Sequence, residues 1–290
     1  MRAYGFSTMR ALMLWFSLLL HPLSSADEIK VLPPRDDSWR LVWADEFDRD
    51  GPPDPQRWDF EHGFVRNHEL QWYQPGNAFC RDGILIFEAR RQRVDNPDYQ
   101  KNHRSWKRSR PHAGYTSASI ITREQLSWKY GRFEIRARFP ALPGLWPAIW
   151  TTGHGHWPHK GEIDIMEYYN GMILANTVHA GTGGRPLWHT SKHPIRKFNP
   201  NTWDDQFHLW VMEWDETQIS IHLDGRLLTR VDLTKTVNLD GPPINPFRAP
   251  HRLRLNLAIG GNGGDPSNTR FPQRYEVDFV RIYQKQPGRL

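Results

Sequence analysis

Residues 132–139 read RFEIRARF, with Phe133, Ile135, Ala137 and Phe139 alternating against Arg132, Glu134, Arg136 and Arg138. A period of two puts the apolar set on one face of a strand and the charged set on the other. Similar short runs recur at 84–89 (ILIFEA), 117–122 (SASIIT), 208–214 (HLWVMEW), 218–223 (QISIHL) and 275–283 (YEVDFVRIY), with turn formers between them. Asp224-Gly225 lies between QISIHL and RLLTRVDL, the pattern of a tight hairpin. Long helical periodicity is nearly absent, so the chain is expected to be all-β, with many antiparallel strands in two layers. No internal repeat argues for a propeller or solenoid.

A chain of 290 residues can bury a substantial core. Aromatics at 13% and charged residues at 24% do not suit a disordered chain, and a single Cys cannot build a disulfide framework or a Cys-rich zinc site. Net charge is +6, and two of those charges, Arg2 and Arg10, belong to the N-terminal segment, which leaves +4. That surface is too mixed in sign to predict a nucleic-acid partner. Arg2 and Arg10 precede the apolar run 11–20 (ALMLWFSLLL), and Ser24, Ser25 and Ala26 supply small residues before Asp27. This is the pattern of a secretory signal over residues 1–26, cleaved near Ala26, and it predicts a secreted or periplasmic protein. A membrane anchor would need about 20 apolar residues, and His21 and Pro22 interrupt the run well short of that. Residues 27–290 are expected to form a single domain with no membrane span.

Two stretches read as surface loops. Residues 96–113 (NPDYQKNHRSWKRSRPHA) are basic and aperiodic, which suits either a solvated face or an electrostatic contact to an anionic substrate. Residues 180–202 are rich in Gly, Pro and His.

The segment with chemical content is 161–169 (GEIDIMEYY). Strict alternation would put Glu162 and Asp164 on one face and Glu167 on the other. One extra residue in a β-bulge at Ile165-Met166 would turn Glu167 back, so that all three acids face one way. An acid-rich strand face can equally meet Arg or Lys across a sheet. The surroundings favour chemistry: GLWPAIW at 144–150 and Trp157-Pro158 supply indole faces suited to pyranose rings, while carboxylates and amides suit hydroxyls. Glycoside hydrolysis needs two carboxyls, one to protonate the leaving oxygen and one ionised. No G-x-S-x-G, P-loop or dinucleotide fingerprint competes, and His154, His156 and His159 lack a matching metal-ligand set.

GEIDIMEY resembles the E-x-D-x-x-E signature of glycoside hydrolase family 16, in the bulged form of laminarinase-like and galactan-cleaving members. The resemblance extends through WADEFD, NHELQWY, DGILIFEAR, YGRFEIRARFP, GLWPAIW, LNLAIGGNGGDP and VDFVRIY, nearly the whole mature chain. It implies a β-jelly-roll sandwich of two antiparallel sheets with a concave cleft for polysaccharide. By the same resemblance Glu162 is the nucleophile, Glu167 the general acid/base and Asp164 the helper between them. Trp146 and Trp150 match cleft-lining positions, and Asn67, Glu69 and His179 match sugar contacts. Catalysis would need no cofactor; in some relatives the segments of Glu46 and Asp278 help hold a structural calcium.

The resemblance implies an endo-acting retaining enzyme, here expected as a monomer acting on a polysaccharide or glycoprotein glycan. A typical laminarinase continues past the acids with a longer stretch than NGMILANTVHAGTGG. With the basic loop, this departure points toward internal β-galactosidic bonds of acidic glycans such as keratan or mucin chains. An endo-1,3-β-glucanase is the alternative, and a non-catalytic carbohydrate-binding protein is the alternative of another class.

Overall fold

The computed structural model describes residues 38–198 and 203–286, together with Met1 and Arg35. The expected signal segment therefore lies outside the described residues, Met1 apart. Among the described residues seventeen strands are formed: β1 (Trp39–Asp45), β2 (Trp58–Phe60), β3 (Gln71–Tyr73), β4 (Ala78–Arg81), β5 (Ile84–Asp95), β6 (His112–Ser117), β7 (Ser119–Thr122), β8 (Gly131–Arg138), β9 (Leu145–Thr152), β10 (Glu162–Tyr169), β11 (Met172–Ala180), β12 (Pro186–Pro194), β13 (His208–Trp214), β14 (Gln218–Leu223), β15 (Arg226–Asp232), β16 (Arg252–Ile259) and β17 (Gln273–Lys285). Ten belong to one sheet and seven to the other, the latter in the order β12-β11-β10-β9-β16-β7-β2. The sandwich is all-β and antiparallel apart from the β3–β6 pair, which is parallel.

The alternation of RFEIRARF has its expected outcome in β8, where Phe133, Ile135 and Ala137 are fully buried, as is Phe139 just beyond the strand. They meet Ile149, Ile163, Ile165, Met166 and Ile173 of the seven-stranded sheet in one core. Phe139 packs against Trp203, Trp210 and Tyr275, so many of the tryptophans are core residues. Asp224 and Gly225 both take positive φ, as the β14–β15 hairpin requires.

Residues 180–202 do not form a loop throughout. β12 pairs with β11 along its whole length, from Met172 opposite Pro194 to Ala180 opposite Pro186. As an edge strand it is mostly polar and half-exposed, so it lacks the apolar alternation by which the other strands are recognised. No helix among the described residues is long and apolar enough to cross a membrane.

Candidate active site

The register of β10 contains the bulge that the acids require. Against β9, Asp164 stands opposite Trp150 and Met166 opposite Ile149, which leaves Ile165 as the extra residue. Ile165 and Met166 are both fully buried, while Glu162, Asp164 and Glu167 line an open cleft of about 700 Å³ on the other face of the sheet. Three rows cross this face. Arg252, Thr152, Glu162, Val178 and Trp188 lie in register, as do Arg254, Trp150, Asp164, Asn176 and Thr190, and then Asn256, Ala148, Glu167, Leu174 and Lys192. Gly161, at φ +69, brings the chain into β10; a Cβ there would stand 2.8 Å from the Pro246 side chain, so only glycine fits.

Glu167 accepts hydrogen bonds from Trp146 Nε1 and Asn176 Nδ2, both at 2.8 Å. Asn176 Nδ2 also donates to Asp164 at 3.0 Å. Asp164 further hydrogen-bonds Glu167, so the helper between the two glutamates is bonded to Glu167 and meets Glu162 through charge. Burial and the charge of Glu167 raise the Glu162 carboxyl to about 7, against the pull of Arg66, Lys160 and Arg254. Burial raises Glu167 to about 7 as well, despite its hydrogen bonds, and Glu69 adds repulsion. Asp164 is held well above the ordinary carboxylate range by burial and by both glutamates. The site therefore holds fewer than three negative charges near neutral pH and can both give and take a proton.

A raised carboxyl favours the fold while protonated, and that contribution is lost as pH rises from the ordinary range through about 7. Glu162→Gln removes an ionisable group whose cost to the fold builds up across this window and is full above it. Its Tm is expected to exceed that of the parent by about 2 °C or more at pH 8.5 and to match it near pH 4. Differential scanning fluorimetry across that range checks the sign.

The other sequence-predicted residues divide. Asn67 and Glu69 line the cleft; Asn67 and Gln71 both donate to Glu69, at 3.3 and 2.7 Å. Trp146 and Trp150 also line it, although the guanidinium groups of Arg66 and Arg254 each lie 5.0 Å from the Trp150 ring centroid. The indole is thus engaged by cations and is not an open platform. His179 is a correction: Val178 stands opposite Glu162, so the next residue points to the opposite face. There His179 is fully buried, stacked on His189 and edge-on to Phe247, away from the cleft.

Glu46 accepts two hydrogen bonds from Arg281 at 2.8 Å, and Asp278 pairs with Arg136. Among the described residues no group of three or more His, Cys, Asp or Glu converges as a metal site. A calcium held by Glu46 or Asp278 would compete with these guanidinium groups.

The basic stretch 96–113 holds a single helical turn, α1 (Trp106–Ser109), organised by Asn96, whose amide donates to the Lys107 and Arg110 carbonyls at 2.8 Å. Lys101, Arg104, Lys107 and Arg108 are exposed and do not line the cleft. The residues that matter are Trp106, stacked on His68 at 4.7 Å, and Arg110, which donates to the His68 and Glu69 carbonyls. Asn67 and His68 both have positive φ, a strained pair that needs such support. Arg110→Ala is expected to cost about 1 kcal/mol in urea unfolding and to raise KM, because it frees the turn that carries Asn67 and Glu69.

Sequence reasoning missed Asn176, the Arg66–Glu61–Arg254 cluster and Trp188. Arg66 and Arg254 both pair with Glu61, three segments joined only by the fold. Alternation along ANTVH puts Asn176 on the face opposite His179, so the expectation of His179 in the cleft turned Asn176 away from it.

The family model Glycosyl hydrolases family 16 matches residues 89–281. A beta-glucanase of Rhodothermus marinus is 37% identical over 266 residues, covering 85% of each chain. A solved structure from work on endo-acting O-glycanases that initiate mucin breakdown in human gut bacteria superposes with a TM-score of 0.78 at 33% identity, covering 88% of this chain and 94% of that one. The laminarinase catalytic domain of Thermotoga maritima gives 0.71 at 32% identity, covering 86% and 99%. With its bulged carboxylate strand, sandwich fold and matching family model, the chain belongs to glycosyl hydrolases family 16 and is a glycoside hydrolase.

Proposed function

We propose that the protein is an endo-acting retaining 1,3-β-glucanase in which Glu162 is the nucleophile, Glu167 the acid/base and Asp164 the residue that tunes Glu167. The observation that carries this reading is the bulge that sets Glu162 and Glu167 on one cleft face. Glu162 has Arg66, Lys160 and Arg254 to favour its ionised form, in which it attacks the anomeric carbon. Glu167 gives its proton to the departing glycosidic oxygen as that bond breaks. Esterification removes the Glu162 charge, so Glu167 loses a repelling neighbour and can take a proton from the water that attacks next. Hydrogen bonds from Trp146 and Asn176 hold Glu167 in place for both steps. Nucleophile and proton both come from side chains of a single chain, so no cofactor enters.

The glucan assignment rests on the beta-glucanase and laminarinase relatives. It replaces the galactoside expectation, which stood on the shorter stretch after the acids together with the basic loop, whose exposed cations sit outside the cleft lining. A β-galactosidic glycan stays as the second reading because of the TM-score of 0.78 to the mucin O-glycanase structure. Incubation with laminarin, agarose, keratan sulfate and mucin in parallel, read by mass spectrometry, separates them. Oligosaccharides from laminarin alone are expected; products from keratan or mucin with laminarin untouched would overturn the glucan reading.

A further inference from the structure

The positive surplus of the chain is gathered outside the cleft. Five cations stand between Asn96 and Ala113, namely Lys101, Arg104, Lys107, Arg108 and Arg110, against one acid, Asp98. That surplus of four equals the surplus of residues 27–290 as a whole, so the rest of that span is balanced. Arg93, just before the stretch, pairs with Asp95. Among the described residues none of the five cations has such a partner. Arg110 is engaged by the His68 and Glu69 carbonyls and by the Phe64 and Trp106 rings. Lys101, Arg104, Lys107 and Arg108 are exposed, and their charged ends bond to none of the described residues.

Like charges repel, and a slack loop would spread them apart. This loop holds them together. Asn96 closes its base, with the backbone N–H donating to the Pro111 carbonyl at 2.9 Å and the amide to the Lys107 and Arg110 carbonyls at 2.8 Å. Gln100 N donates to the Arg108 carbonyl at 2.8 Å, which brings Lys101 alongside Arg108. α1 sets Lys107 and Arg108 one helical turn past Arg104. Trp106 packs on Phe64 at 5.7 Å and on His68 at 4.7 Å, so the loop is fixed to the turn whose Asn67 and Glu69 line the cleft. The four exposed cations therefore stand on an ordered platform behind the cleft wall, with Tyr99, 42% exposed, beside them. Unpaired ammonium and guanidinium groups at this density suit a ligand with repeated negative charge, and the arginine fork matches carboxylate and sulfate. A polysaccharide strand fits the place, because the adjoining cleft is built for one and Tyr99 offers a ring face to sugar. The balanced charge of the rest of the chain disfavours a membrane or a duplex nucleic acid, which need a wider positive face.

We propose that Lys101, Arg104, Lys107 and Arg108 form an accessory docking site, separate from the cleft, for an acidic polysaccharide bearing carboxylate or sulfate groups, which retains the enzyme beside the polymer it cuts. The inference goes beyond the functional reading above and does not depend on which polymer is cut.

The test combines Lys101→Ser, Arg104→Ser, Lys107→Ser and Arg108→Ser in one variant. A control combines Arg40→Ser, Arg49→Ser, Lys129→Ser and Arg230→Ser, exposed cations of other segments that lower the net charge equally. Should the first fail to fold, the pair Lys107→Gln and Arg108→Gln on the exposed side of the loop takes its place, with about a threefold effect expected. Affinity for alginate and chondroitin sulfate is read by retardation in native gels at low salt and again at about 0.3 M salt, and kcat/KM is measured on laminarin. The parent should be retarded by both acidic polymers at low salt and released at high salt. The loop variant should lose affinity for them by about tenfold or more, and the control by less than about twofold, with kcat/KM on laminarin unchanged in both. No retardation of the parent, or an equal loss in the control, would overturn the docking site. So would a fall in laminarin turnover in the loop variant, which would place these cations in the cleft machinery. Oligosaccharides released from alginate or chondroitin sulfate would make the acidic polymer the substrate and overturn a separate partner. Tighter loop-dependent binding to phosphatidylglycerol vesicles or to single-stranded DNA would overturn the polysaccharide in favour of that ligand.

Discussion

Glu162→Gln is expected to lower kcat on the polymer by on the order of 10⁴-fold while leaving binding within a few fold, because the amide keeps the shape of the carboxyl and loses its nucleophilicity. The shorter Glu162→Ala provides a sharper form of the same test. Azide can enter the space vacated by the side chain and attack the anomeric carbon of an activated β-glycoside from that side, giving the α-glycosyl azide. A β-azide from this variant, or full activity in Glu162→Gln, would move the nucleophile elsewhere, with Asp164 the next carboxyl on the same strand face. Asp164 is the weaker candidate on physical grounds: it is buried, bonded to Asn176 and Glu167, and held well above the ordinary range.

Glu167→Gln has a different expected signature. Loss of the proton donor should reduce polymer cleavage by about 10²–10⁴-fold. A substrate whose leaving group needs no protonation should still form the covalent intermediate quickly and then stall, giving a burst followed by slow turnover. The alkaline limb of the pH profile should disappear, since it reports loss of the proton from Glu167, whose carboxyl burial raises to about 7. The acid limb should remain, since it reports ionisation of Glu162. Stopped-flow release of an aryl leaving group, followed across pH, checks both; an unaltered alkaline limb would mean that another group donates the proton.

How much of this was legible before the fold was known depends on whether a feature is local. HLWVMEW and QISIHL coincide with β13 and β14, because a half-buried strand carries its period of two in its own residues. The Asp-Gly hairpin was equally local. ILIFEA marked only the start of β5, which continues through RRQRVD to Asp95. β9 is buried on both faces, so LWPAIWTT has no alternation and read as a cluster of ring-stacking tryptophans instead of a strand. β12 failed for the opposite reason, as a polar edge flanked by prolines.

The same distinction applies within the site. Glu162, Asp164 and Glu167 share one strand, and the bulge that aligns them follows from their spacing. Arg66 and Arg254, whose guanidinium groups both press on Trp150, come from a turn before β3 and from β16, and only strand order brings them together. His179 was misplaced by one residue of alternation, which in a strand is the difference between cleft and core.

The most direct test of the central claim, that Glu162 and Glu167 act by double displacement, is the anomeric form of the newly made reducing end. Proton NMR during the first minutes of laminarin cleavage, before mutarotation equilibrates the product, reads it without any variant. The account predicts that the β-anomer appears first and the α-anomer follows by mutarotation. Appearance of the α-anomer first would mean single displacement by water, and Glu162 could then be a base but not the nucleophile.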